Sequence, residues 1–131
     1  MNWVWLEPAL VLVIHDDQLA QYGGATGVRD KGLLESALAR PRNLAAYGEP
    51  DAATLAGAYA FGIAKNHPFI DGNKRTAYGV METFLMRNGY RLTSTDEESV
   101  LAMLALASGE MDEASFAEWI RANLSKPRRG R

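Results

Sequence analysis

Residues 67–76 read His67-Pro68-Phe69-Ile70-Asp71-Gly72-Asn73-Lys74-Arg75-Thr76, and their reading decides the fold. Before them, from Asp51 to Asn66, runs an alanine-rich segment with Leu55, Tyr59 and Ile63 at every fourth position. After them, from Asn73 to Asn88, Ala77, Val80, Met81, Phe84 and Leu85 fall on one helical face, and Gly89 supplies a stop. Pro68 has no amide hydrogen and disfavours the α conformation at His67, so the first helix ends there. Gly72 permits φ > 0 or a close backbone approach. The stretch is therefore a turn that opens a helix, and it joins two antiparallel helices. Small residues let helices approach closely, which makes the first of the pair central and buried. Phe69 is expected to point into the core and hold its polar neighbours still.

The same turn carries chemistry. Free amides and the positive dipole end at a helix N-terminus form an anion site. Lys74 and Arg75 put two cations in the first turn, against the dipole preference, so an anion at the loop explains them better than helix stability does. Backbone amides from Gly72 to Lys74 can cradle phosphate oxygens. Arg75 can clamp a phosphate bidentately, with Lys74 as a point charge. The Asn73 side chain can either pin the loop or bond a phosphate. Asp71 is a hard oxygen ligand suited to a phosphate-bound magnesium. His67 can accept a proton from an attacking hydroxyl.

These residues resemble the signature of the Fic/Doc family, His-x-Phe-x-Asp/Asn-Gly/Ala-Asn, and match every fixed position of it. Adenylylating Fic proteins continue with Gly-Arg and a further Arg three residues on. This chain has Lys74-Arg75, with Tyr78 where the later Arg would fall, and so resembles the Doc (death-on-curing) branch. A second block, Gly27-Val28-Arg29-Asp30-Lys31-Gly32-Leu33-Leu34-Glu35-Ser36-Ala37-Leu38-Ala39-Arg40-Pro41, resembles Doc-like chains too, so the likeness covers most of the sequence.

The resemblance implies a Fic-type all-α bundle of about six helices with the signature loop between two central ones. It implies catalytic roles for His67, Asp71, Lys74 and Arg75. Gly72, Asn73, Lys74 and Arg75 would bind nucleotide phosphate, and Asp71 would hold Mg2+. The activity implied is a toxin's: transfer of the terminal phosphate of ATP to a hydroxyl of a protein, elongation factor Tu by resemblance, with arrest of translation. AMP transfer is the alternative within enzymes, and a non-catalytic anion-binding module is the alternative outside them. Some Fic relatives carry an inhibitory Ser/Thr-x-x-x-Glu-Gly/Asn helix. Thr93 with Glu97 is followed by Glu98, and Ser94 with Glu98 by Ser99, so neither completes that pattern. Inhibition is expected in trans, from a Phd-like antitoxin that folds as an amphipathic helix into a groove of the bundle.

Composition sets the bounds. A chain of 131 residues fits one domain, expected over 1–125, with a basic tail at 126–131. A net charge of −2 argues against bulk nucleic-acid binding. The absence of Cys excludes disulfides, thiol nucleophiles and Cys-based zinc sites, and suits a reducing cytoplasm. Only His15 and His67 are present, on distant segments, which disfavours a multi-His metal hydrolase. No apolar run is long enough for a membrane span, and the first thirteen residues lack the basic start of a signal peptide. Neither a phosphate-loop nor a dinucleotide Gly pattern occurs.

In chain order, Trp3–Leu6 predicts a strand or a packed arm. A helix follows from Pro8, with Leu10, Val13, Ile14, Asp17 and Gln21 on its face and a stop at Gly23-Gly24. His15, on that helix, is read as a partly buried residue with one hydrogen bond and no chemistry. Asp30 caps a helix over Lys31–Arg40, which Pro41 ends. Arg29 is read as either a surface cation or a structural partner of a carboxylate, the structural role being favoured. Residues 42–50 form the connection that in the family is a flap aligning the target. Thr95 and Glu98 make a capping box for a helix through Val100, Leu101, Met103, Leu104 and Ala107 to Gly109. Asp112 caps a last helix bearing Phe116, Trp119, Ile120 and Leu124. Met81, Met103 and Met111 are read as core filler.

Overall fold

The computed structural model describes residues 2–125. Six helices follow one another: α1 Pro8–Tyr22, α2 Lys31–Ala46, α3 Ala52–Asn66, α4 Asn73–Arg87, α5 Asp96–Ser108 and α6 Glu113–Ala122. Two short strands, β1 Arg91–Leu92 and β2 Leu124–Ser125, pair antiparallel with Arg91 opposite Ser125. The architecture is the all-α bundle that the helical periods predict. The 126–131 tail lies outside the described residues.

Alanine and glycine put α3 at the centre. Eleven of its fifteen residues are buried, so it has almost no solvent face, and it packs against α2, α4, α5 and α6. A Cβ on Gly62 would lie 3.1 Å from Ala37 Cα, so α2 and α3 meet backbone to backbone. Leu55, Tyr59 and Ile63 of α3 meet Val80, Met81, Phe84 and Leu85 of α4 in one buried cluster. Met81 and Met103 are buried there, and Met111 packs on its edge.

The helix starts are locally encoded. The carboxylates of Asp30, Asp51 and Asp112 accept from the N–H groups of Leu33, Thr54 and Ser115 at 2.9, 2.9 and 2.7 Å. Thr95 and Glu98 form the reciprocal capping box. The N-terminal segment is a packed arm: Trp3 and Trp5 lie on Phe84, and the Asn88 side chain accepts from Val4 N–H and donates to Val4 C=O. Among the described residues, no helix is long and apolar enough to cross a membrane.

Three expectations need correction. Pro41 does not end α2, which runs on to Ala46. Pro41 forfeits one ladder hydrogen bond, but its ring is buried, Leu44 packs on the core, and Arg42 lies over Trp5 while pairing with Glu7. Tertiary contact thus carries the turns beyond the proline. On α1 the buried stripe is Val11, His15 and Leu19, and Val13 is 53% exposed. The stripe contains a histidine, so apolar counting put it one position away. Leu124 is in β2, because α6 ends at Ala122 with Asn123 at its cap.

Candidate active site

Loop 67–72 joins α3 to α4. His67 takes the left-handed conformation, φ 49° and ψ 55°, and is the one non-glycine residue with positive φ among those described. Its N–H still closes the helix on Ile63 C=O at 3.2 Å. Its ring is exposed and, among the described residues, has no hydrogen-bond partner, so both ring nitrogens are open to a ligand.

A strap from residues 27–30 lies along this loop. Val28 bridges Phe69 antiparallel, Ile70 N–H donates to Gly27 C=O, and the amides of Arg29 and Asp30 both donate to Pro68 C=O. The Arg29 guanidinium donates to His67 C=O at 2.7 Å and Asn66 C=O at 2.8 Å. Its role is structural as expected, but its partners are the last carbonyls of α3 rather than a carboxylate.

Below the loop, Phe69 is 1% exposed. The Asn73 side chain holds its backbone from both ends, accepting from Phe69 N–H at 3.0 Å and donating to Phe69 C=O at 2.9 Å. Of the two roles the sequence left open for Asn73, its side chain occupies the loop-pinning one. His15, 3% exposed, stacks flat on Phe69 with centroids 3.9 Å apart. Its Nε2 lies 2.8 Å from Asp71 C=O, which can only accept, so Nε2 carries a hydrogen.

The Asp71 carboxylate accepts from Gly72 N–H at 2.8 Å with Oδ1 and from Ala25 N–H at 3.2 Å with Oδ2. Those amides, Ala25 first, hold it below the usual carboxylate range. A Cβ on Gly24 would come within 2.9 Å of Oδ2, so the Gly23-Gly24 turn is shaped to the carboxylate. Among the described residues, no three His, Cys, Asp or Glu side chains gather into a metal cage. One ionised, exposed carboxylate with spare lone pairs fits the magnesium mode in which waters and substrate phosphates fill most positions.

At the start of α4, Gly72 N–H is taken by Asp71, so the open anion donors are the next amides of the first turn. Lys74 is exposed and Arg75 half-buried. Arg75 donates to Gly23 C=O at 3.1 Å and lies over the Tyr22 ring, tying α4 to the end of α1. Both cations border a cavity of about 420 Å³ between α1, α4 and α5, whose walls include Tyr22, Tyr78, Val100 and Leu104. Tyr78 donates to Ser99 Oγ at 3.3 Å, and burial pushes its phenol above the ordinary value. A cavity of about 730 Å³ between α2 and α3 runs from Tyr47 to Asn66, next to His67.

The loop thus gathers His67, Asp71, Gly72, Asn73, Lys74 and Arg75 at one end of the bundle. Sequence reasoning gave no part in it to His15, Tyr22 or the Ala25 amide. The Gly23-Gly24 pair, beyond stopping α1, is the sequence signal of the turn that meets the Asp71 carboxylate.

The Fic/DOC family model matches residues 5–85, and the chain belongs to the Fic/Doc family. Within that family it stands on the Doc branch. It is 33% identical to the protein kinase doc of Escherichia phage P1 over 117 residues, 88% of this chain and 92% of that protein. It is 43% identical to the toxin Doc of Mycolicibacterium smegmatis (strain ATCC 700084 / mc(2)155) over 76 residues, 56% of this chain and 58% of that one.

Proposed function

We propose that this protein is a Doc-like toxin that transfers the terminal phosphate of ATP to a hydroxyl of a protein, elongation factor Tu by family resemblance, and so arrests translation. The observation that carries the reading is the exposed His67 ring, unpartnered among the described residues, on a loop where Phe69, Asp71, Asn73 and Arg75 are each held by hydrogen bonds. A loop that served only to bind an anion would need neither that imidazole nor the Asp71 carboxylate. Similarity to a phage protein named a kinase supports the same direction.

In this reading His67 takes the proton of the attacking hydroxyl. Asp71 would hold Mg2+, which supplies charge neutralisation on the phosphates when bound. The α4 amides, Lys74 and Arg75 orient the phosphates and stabilise charge on the transferred group. The target chain would lie along the α2–α3 cavity that ends beside His67. A cognate antitoxin would fold into the α1–α4–α5 groove, where Val100, Leu101 and Leu104 are 57%, 61% and 48% exposed, and would block access at Arg75.

The test is incubation of wild type and His67→Ala with cell extract and ATP labelled at either the α or the γ phosphate. One band marked from γ-labelled ATP by wild type alone is the expected result. Marking from α-labelled ATP would make the protein an adenylyltransferase, and no marking by either would leave the anion-binding module.

A further inference from the structure

The geometry points to Arg29 as the positioning residue for His67: by gripping the two peptide groups that flank the His67 Cα, its guanidinium sets the direction in which the imidazole is presented. The inference rests on His67 being the base, and goes beyond it by naming what holds that base.

A left-handed histidine needs an outside cause. In that conformation Cβ crowds the following carbonyl, and it persists only where the surroundings over-determine it. The angle φ of His67 is rotation of the peptide group that contains Asn66 C=O. The angle ψ is rotation of the peptide group that contains His67 C=O. Arg29 binds both of these oxygens, Nη2 at 2.8 Å to Asn66 and Nε at 2.7 Å to His67. The rigid fork of one side chain therefore fixes both torsions together, which a lysine's single ammonium would not do. Once φ and ψ are fixed, so is the Cα–Cβ direction of His67.

The surroundings fit this task. No ion pair to Arg29 occurs among the described residues, and its charge sits at the carbonyl end of α3, where the dipole favours a cation. Main-chain bonds hold Arg29 in place independently of its side chain. Its N–H donates to Pro68 C=O at 2.7 Å, its neighbour Val28 bridges Phe69, and its other neighbour Asp30 caps α2. Substitution therefore removes the fork and leaves the strap. Arg29 is exposed, so a small guanidinium ion can reach the vacated carbonyls.

The experiment compares full-length wild type, Arg29→Ala, Arg29→Lys and His67→Ala. It measures steady-state γ-phosphate transfer with ATP varied, thermal unfolding, and the NMR Cα and Cβ shifts of His67, with and without millimolar guanidinium chloride. For Arg29→Ala the expected result is a folded protein with kcat down about 10²-fold, as misplacement of a reacting group by about 1 Å can cause, and KM for ATP unchanged. The His67 shifts should leave the left-handed range, and guanidinium should restore both shifts and kcat. Arg29→Lys should be rescued less than Arg29→Ala, because its ammonium occupies the site. Unchanged shifts in Arg29→Ala would overturn the inference, as would activity lost only in proportion to unfolded protein. Full transfer by His67→Ala would remove the base role, and the shifts would still decide whether Arg29 holds the histidine's backbone.

Discussion

The side-chain amide of Asn73 replaces a missing peptide partner for Phe69, meeting its N–H at 3.0 Å and its C=O at 2.9 Å in a buried setting. The first residue of α4 is thereby locked to the middle of the loop before it. The catalytic candidates on either side, His67 and Asp71, are spaced by this lock.

Asn73→Ala strands both Phe69 groups away from water. Each unpaired buried group costs about 1–3 kcal/mol, so urea unfolding should show a loss of about 2–6 kcal/mol. A smaller loss, below 1 kcal/mol, would mean that water or a shifted backbone takes over the amide's place.

His67→Ala and His67→Gly should separate chemistry from backbone strain. Both remove the base, with transfer falling about 10²–10⁴-fold while the fold is kept. Glycine also relieves the left-handed penalty at φ 49°, partly offset by its greater freedom when unfolded. The net effect should be His67→Gly more stable than His67→Ala by up to about 1 kcal/mol in thermal unfolding.

Much of the fold was legible because its signals are local. Asp30, Thr95 with Glu98, and Asp112 cap helices through atoms within three residues, and Pro68 stops α3 by its own covalent structure. What escaped depends on distant partners. Pro41 sits inside α2 because packing outweighs one absent hydrogen bond. His15 belongs to the buried stripe of α1 because Phe69 and Asp71, more than fifty residues on, give it a stacking face and an acceptor. Arg29 was legible as structural, yet its partners are carbonyls, which every residue carries and no sequence pattern marks. At the site, the chemical residue types were readable from one run of ten; which of their atoms are already engaged was not.

Leu104→Glu puts a charge in the α1–α4–α5 groove at a position 48% exposed. Stability should stay within about 0.5 kcal/mol, as is usual for surface changes. Rescue of growth by the co-expressed cognate antitoxin should be lost. Rescue that survives the change would place the partner elsewhere.

Asp51→Asn tests the tie between α3 and α6. The Arg121 guanidinium, with the Thr54 amide assisting, holds the Asp51 carboxyl well below the usual range. A carboxylate depressed on folding contributes stability that is fully present above its unfolded pKa of about 3.9 and is lost as pH falls below it. Asparagine keeps the helix cap but not the charge. The variant should be less stable at pH 7 by no more than about 1 kcal/mol, since the pair is largely exposed. Its stability should fall less steeply than wild type below about pH 4, measured by urea midpoints across pH.

The burial of α3 on several sides has a consequence for biosynthesis. Gly57 faces Ala117 and Ile120, and Asp51 is tied to Arg121; these three partners stand on α6, which leaves the ribosome well after α3 and α4. A nascent chain that has already presented His67 to Arg75 still lacks the wall that closes its central helix. Domains fold as units during synthesis, so the loop gains its lasting geometry only when α6 arrives. A premature stop anywhere between Arg87 and Glu113 would therefore leave every residue of the loop in the polypeptide and an open alanine-rich face beside it, fit for proteolysis rather than for phosphate transfer.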